Sequence, residues 1–186
     1  LWEDIKKGLS EEERENNPAR YALVEIENIF DEGLAFEPIH RIFYSIDRPA
    51  FMKELEKAAP GSTAEKISKG EIHERVNESK GSFVLYDGSE YILVRLHGTE
   101  KELAAWTVQS IIDSLLEQKA CTVDYIHGME ETLSLAGNGN IAIILPDIPK
   151  DTFFSSILSD RAFPRKTFSI GHADEKRYYM EARRIR

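Results

Sequence analysis

The chain has 186 residues, 41% of them hydrophobic, with nine Phe, seven Tyr and two Trp, enough for one domain with a real core, which excludes disorder as its overall state. A formal net charge of −9 and a pI near 5.1 oppose binding to nucleic acid or to an anionic membrane, and no apolar run approaches the ~20 residues needed to span a bilayer. The lone cysteine, Cys121, has no intramolecular partner, so a reducing, cytoplasmic setting is expected for a soluble protein.

Trp2, Ile5 and Leu9 recur at helical spacing, and Ser10-Glu11-Glu12-Glu13 opens a charged turn or helix that stops near Asn16-Asn17-Pro18. Residues 1–18 are thus expected as an exposed helical lead-in. The N-terminal sequence reads as mid-helix and carries no signal pattern, so the chain is expected to be the C-terminal fragment of a larger protein. Residues 20–29 and 34–46 are rich in β-branched and aromatic residues and flank Asp31-Glu32-Gly33. They predict an antiparallel hairpin in which Pro38 needs a bulge or an edge position.

Arg48-Pro49 starts a short helix that ends at Pro60-Gly61, and 62–80 read as polar and only weakly helical. The segments 82–86 and 91–97 around Asp87-Gly88-Ser89 give the clearest hairpin signal. Thr99-Glu100-Lys101-Glu102 has the form of a capping box, and Val108, Ile111, Ile112, Leu115 and Leu116 then fall on one face of a helix that runs to about Gln118. A strand at 121–126, a helix from about Met129, a Gly137-Asn138-Gly139 turn, a strand at 140–145 and a helix near 150–159 follow. The expected fold class is α+β: one domain over 1–186, with a mixed, mostly antiparallel sheet built from hairpins and helices packed on one side of it.

Charge is unevenly distributed. Residues 161–186 carry eight basic and three acidic side chains, a local balance of +5 that leaves −14 on the remainder. This basic tail is expected to end in a final strand around Tyr178, Met180 and Ala182. Within it, Arg165, Lys166 and Thr167 bring two cations and a hydroxyl together and could cradle a phosphate. The competing reading is that they neutralise the acidic body.

Two further groups could carry chemistry. His40 and Arg41 lie late in a predicted strand and point to opposite faces, a proton-exchanging imidazole and a guanidinium suited to an anionic substrate. Alternatively, Arg41 pairs with a neighbouring carboxylate and His40 caps the sheet edge. Asp124 and His127 stand three apart before Gly128, where a carboxylate could orient an imidazole for general-base work, provided the backbone turns at Ile126. The alternative is a structural turn. His73 and His97 lack partners at suggestive spacing, no metal-binding pattern of His and Cys occurs, and nucleic acid is not an expected partner.

Three stretches together resemble the family called "domain of unknown function 1015": Phe36-Glu37-Pro38-Ile39-His40-Arg41, Asp124-Tyr125-Ile126-His127-Gly128 and Phe163-Pro164-Arg165-Lys166-Thr167-Phe168-Ser169-Ile170-Gly171-His172. The resemblance runs from about Asn17 to Ile185. It implies that an N-terminal half, the partner of this one, carries an Asp-Gly-His-His-Arg stretch similar to one in the ParB-like free-serine kinases. Family tails often read Pro-Pro-Lys-Ser-Thr where this chain has Pro164-Arg165-Lys166-Thr167, which is a departure.

The resemblance implies a small-molecule enzyme, by analogy one that transfers a phosphoryl group to serine or a similar amino acid, with a nucleotide as candidate cofactor of the full-length protein. His40, Arg41, Asp124, His127, Arg165, Lys166 and Thr167 are then the expected binding residues for a small anionic metabolite, in one cleft. No catalytic residue is assigned. The rival expectation is a non-catalytic binding or regulatory module that contacts a protein partner or its own N-terminal half.

Overall fold

The computed structural model describes residues 2–21, 28–99, 103–160 and 163–170. The chain divides into two compact units, Leu1–Asp31 and Glu32–Arg186. The first contains two short helices, α1 (Trp2–Ile5) and α2 (Glu11–Asn16), neither with a buried residue. Ser10 caps α2: its hydroxyl accepts from Glu13 N–H and its own N–H donates to the Glu13 carboxylate at 2.9 Å, satisfying two end groups at once.

The second unit holds the sheet. In chain order it runs β1 (Phe36–Tyr44), α3 (Arg48–Ala58), β2 (Thr63–Ile67), α4 (Ile72–Val76), β3 (Ser82–Tyr86), β4 (Tyr91–Arg95), α5 (Ala104–Glu117), β5 (Thr122–His127), α6 (Met129–Ser134), β6 (Ile141–Ile144), α7 (Lys150–Asp160) and β7 (Phe168–Ile170). The strand order is β2-β4-β3-β6-β1-β5, with β7 also paired to β1. The α+β class and the mostly antiparallel sheet agree with expectation; every described pairing is in fact antiparallel.

Helices cover both faces of the sheet, not one. Phe43, Phe83, Leu85, Val94, Ile141 and Ile143 pack with α3 and α5. Ile42, Val84, Leu93, Ala142 and Ile144 pack with residues of α4 and α6 on the other face. The sequence carries the reason: Phe83-Val84-Leu85 and Ile141-Ala142-Ile143-Ile144 are continuous apolar runs, buried throughout. A strand with only one covered face would alternate.

The predicted hairpin at 82–97 is present. Tyr86 pairs with Tyr91 around the turn, where the Asp87 carboxylate accepts from the N–H groups of Ser89 and Glu90 and Gly88 takes φ +90°. The hairpin expected from 20–29 and 34–46 lies partly outside the described residues; its second arm contains β1. That strand is flanked by β5 along 39–44 and by β6 along 41–43, while residues 22–27 lie outside the described residues. Pro38 falls just beyond the last β5 pair, at Ile39↔His127, and opposite Phe168 of β7, so its missing N–H interrupts no β5 bond.

Residues 62–80, read as weakly helical, contain the short helix α4 and also a strand, β2, that the sequence reading missed. β2 is an edge strand with only Ile67 buried, so it shows no apolar face by which to recognise it. The helix after β4 starts at Ala104 with Leu103 as N-cap and no side-chain cap. Positions 100–102 of the expected capping box lie outside the described residues, as does the expected final strand of the tail.

Candidate functional site

β1 distributes the candidate residues by simple alternation. His40 turns with Ile42 to the α4 and α6 face, and Arg41 turns with Phe43 to the α3 and α5 face. Both are buried, His40 at 4% and Arg41 at 0% exposure.

His40 opens onto a cleft of about 570 Å³ at the end of the sheet, lined also by Glu37, His73, His127, Glu131 and Asp147. Its Nδ1 accepts the Leu145 N–H at 3.2 Å, which leaves the ring proton on Nε2. Burial, helped by the charges of Arg41 and His127, lowers its pKa to about 4. The ring is therefore neutral near pH 7 and presents one N–H donor.

His127 ends β5, and its Nε2 lies 2.5 Å from the Glu37 carboxylate of β1. The carboxylate that holds this imidazole is thus Glu37, diagonal to it across the strand pair, whereas the Asp124 carboxylate accepts the Tyr125 N–H at 2.7 Å. Asp124 and His127 stay on opposite faces because β5 remains extended through Ile126. Gly128 follows with φ +92°, and a Cβ there would fall 2.1 Å from the Glu131 carboxylate. On the other wall, His73 Nε2 lies 3.7 Å from Asp147, whose carboxylate also accepts from Asn77 at 3.0 Å. The lining contains three carboxylates and no Lys or Arg.

Arg41 lies elsewhere. Register pairs it with Tyr125, and the guanidinium sits 4.5 Å from the ring centroid. Nη1 donates to the carbonyls of Ile39 and His40. Burial lowers its pKa to about 10, which still leaves it charged at neutrality. Lys166 brings its Nζ to 4.9 Å from the same ring. The tail reaches this point because Thr167 is buried, its hydroxyl donating to the Pro164 carbonyl at 2.5 Å and its carbonyl accepting the Ile39 N–H at 3.2 Å. Arg165 is exposed.

Four of the seven candidate residues therefore fall into two groups, His40 and His127 at the cleft and Arg41 and Lys166 on Tyr125, while Asp124, Arg165 and Thr167 join neither. Glu37, Tyr125, Glu131 and Asp147 were not among the seven. Glu37 and Tyr125 sit inside the quoted motifs, but only the β1–β5 register reveals what they face. Among the described residues no group of His, Cys, Asp and Glu side chains could hold a metal ion, and no helix is long and apolar enough to cross a membrane.

Among solved structures the fold is similar to a conserved hypothetical protein from Pyrococcus furiosus, with a TM-score of 0.62 and 17% identity over 80% of this chain and 61% of that one. It is also similar to a free serine kinase mutant in complex with AMP, at TM-score 0.61 and 16% identity over 79% of this chain and 58% of that one. A complex with ADP gives 0.58 and 17%, with the same coverage. The chain thus spans less than two thirds of the length of these proteins. None of the curated proteins matches the sequence. The model of a family described as "Protein of unknown function (DUF1015)" matches residues 1–115, which include β1 and its Phe36–Arg41 motif, and the chain belongs to that family.

Proposed function

We propose that this chain is the acceptor-binding part of a nucleotide-dependent phosphotransferase that acts on serine or a similar small amino acid. The observation that carries this reading is the composition of the cleft: three carboxylates, no Lys or Arg, and a neutral imidazole beside them. Such a lining repels a polyphosphate and attracts an ammonium group. Glu37, Glu131 and Asp147 would hold the ammonium of the amino acid, while the Nε2–H of His40 donates to an oxygen of the same molecule. The shared fold of the free serine kinase supports the choice of acceptor, and its AMP and ADP complexes support a nucleotide as the second substrate.

Titration calorimetry with L-serine, ethanolamine and D-glycerate tests the assignment. L-Serine and ethanolamine should bind and D-glycerate, which lacks the ammonium, should not; Asp147→Asn and Glu131→Gln should each weaken L-serine binding several-fold. Equal binding of D-glycerate would overturn the reading.

A second reading, a contact surface for the remainder of a longer protein, is supported by α7, where Phe154 and Leu158 are exposed at 56% and 87% and stand four residues apart. Apolar side chains so spaced form one stripe on the helix. Under that reading, Phe154→Ser with Leu158→Ser should make the 186-residue chain more soluble and abolish its association with the N-terminal part supplied separately.

A further inference from the structure

We propose that Arg41, Tyr125 and Lys166 form a binding site for the phosphate group of a small molecule, separate from the cleft. Arg41 is fully buried, and among the described residues no carboxylate pairs with it. Its Nη1 is satisfied by the Ile39 and His40 carbonyls, but Nε and Nη2 have no hydrogen-bond partner. Those two atoms form one edge of the guanidinium, the pair of parallel donors that grips two oxygens of an oxyanion. A buried donor without a partner is costly, and two on one edge of a cation point to a ligand.

Lys166 supplies the second observation. Its ammonium shares the Tyr125 ring with Arg41, at 4.9 and 4.5 Å from the centroid, and it too forms no ion pair with a described residue. Its backbone takes φ +56°, an unfavourable conformation for a residue with a Cβ. That conformation is held in a turn anchored by the buried Thr167, which bonds to both Pro164 and Ile39. Tyr125 is in turn held in reach of the Gln109 side chain of α5 at 3.5 Å. Two cations gathered on one ring suit a ligand with more than one negative charge. A phosphate monoester carries a charge of about −1.5 to −2 near neutrality and offsets both, whereas a carboxylate offsets one. Because the Arg41 edge is closed to solvent, phosphate binding is coupled to an opening of the surrounding segment.

The test is thermal unfolding of the 186-residue chain titrated with inorganic phosphate at constant ionic strength, with sodium chloride and sodium acetate as controls. Phosphate should raise the midpoint saturably, acetate less and chloride not at all. Lys166→Ala, a change at an exposed side chain that leaves the fold intact, should weaken the apparent phosphate affinity at least ten-fold; Arg41→Lys, which keeps the charge and removes the paired donors, should abolish it. A phosphate response equal to that of chloride, or one unchanged in Lys166→Ala, overturns the proposal. A phosphate response without any response to L-serine upholds this site while the reading of the cleft fails.

Discussion

Arg41 and Tyr125 are direct partners across β1 and β5, and the buried guanidinium lies over the ring at 4.5 Å. In a desolvated setting such a cation–π pair contributes about 2 kcal/mol. Tyr125→Leu removes the ring face and should lower the unfolding free energy by about 2 kcal/mol in urea. Tyr125→Phe keeps the face and loses only the long 3.5 Å contact with Gln109, so it should stay within about 0.5 kcal/mol of the parent. Equal losses in the two variants would mean that the ring acts by filling space alone.

His40 should make the protein sensitive to mild acid. Its folded-state pKa is about 4, below the ordinary value of 6.5, so the unfolded chain takes up the proton first as pH falls. Stability is complete above about pH 6.5, declines between pH 6.5 and 4 and levels off below that; the loss from this group is about 3 kcal/mol at most. Urea unfolding at pH 7.5, 5.5 and 4.5 should show the decline, and His40→Gln should flatten it in this window. NMR titration of the His40 ring should give a midpoint well below that of a solvated histidine.

Two glycines answer differently to a methyl group. A Cβ at Gly88, where φ is +90°, would lie 2.5 Å from Gly137 Cα, a backbone atom that cannot move aside. At Gly128 the clash is with the end of the Glu131 side chain, which can swing away, leaving mainly the cost of a backbone at φ +92° and ψ 134°, about 1–3 kcal/mol. Gly88→Ala should therefore destabilise by about 3 kcal/mol or more and Gly128→Ala by less, as measured by chemical denaturation.

Phe51 of α3 is wholly buried, with its ring edge-on to Phe43 at 5.2 Å and to Phe83 at 6.2 Å. Phe51→Ala should cost about 3–5 kcal/mol through lost burial and the cavity left behind. Phe51→Leu should cost less than half as much. Calorimetric unfolding of both variants gives the comparison.

The sequence by itself determined the elements whose signal is local. Asp87-Gly88 names its own turn because a carboxylate beside a residue free to take positive φ closes a hairpin without help from elsewhere. Val108, Ile111, Ile112 and Leu115 name the buried face of α5 by their spacing, whereas Leu116, expected on the same face, is exposed. The opposite orientations of His40 and Arg41 also follow from alternation alone. Only the tertiary structure decided which strands become neighbours, because pairing across 80 or more residues leaves no mark in either segment. β1 joins β5 and β6, and that register sets Tyr125 against Arg41 and brings Glu37 to His127. Edge strand β2 stayed hidden for the complementary reason: its side chains face water, and its backbone bonds to β4 are its main claim to a place in the sheet.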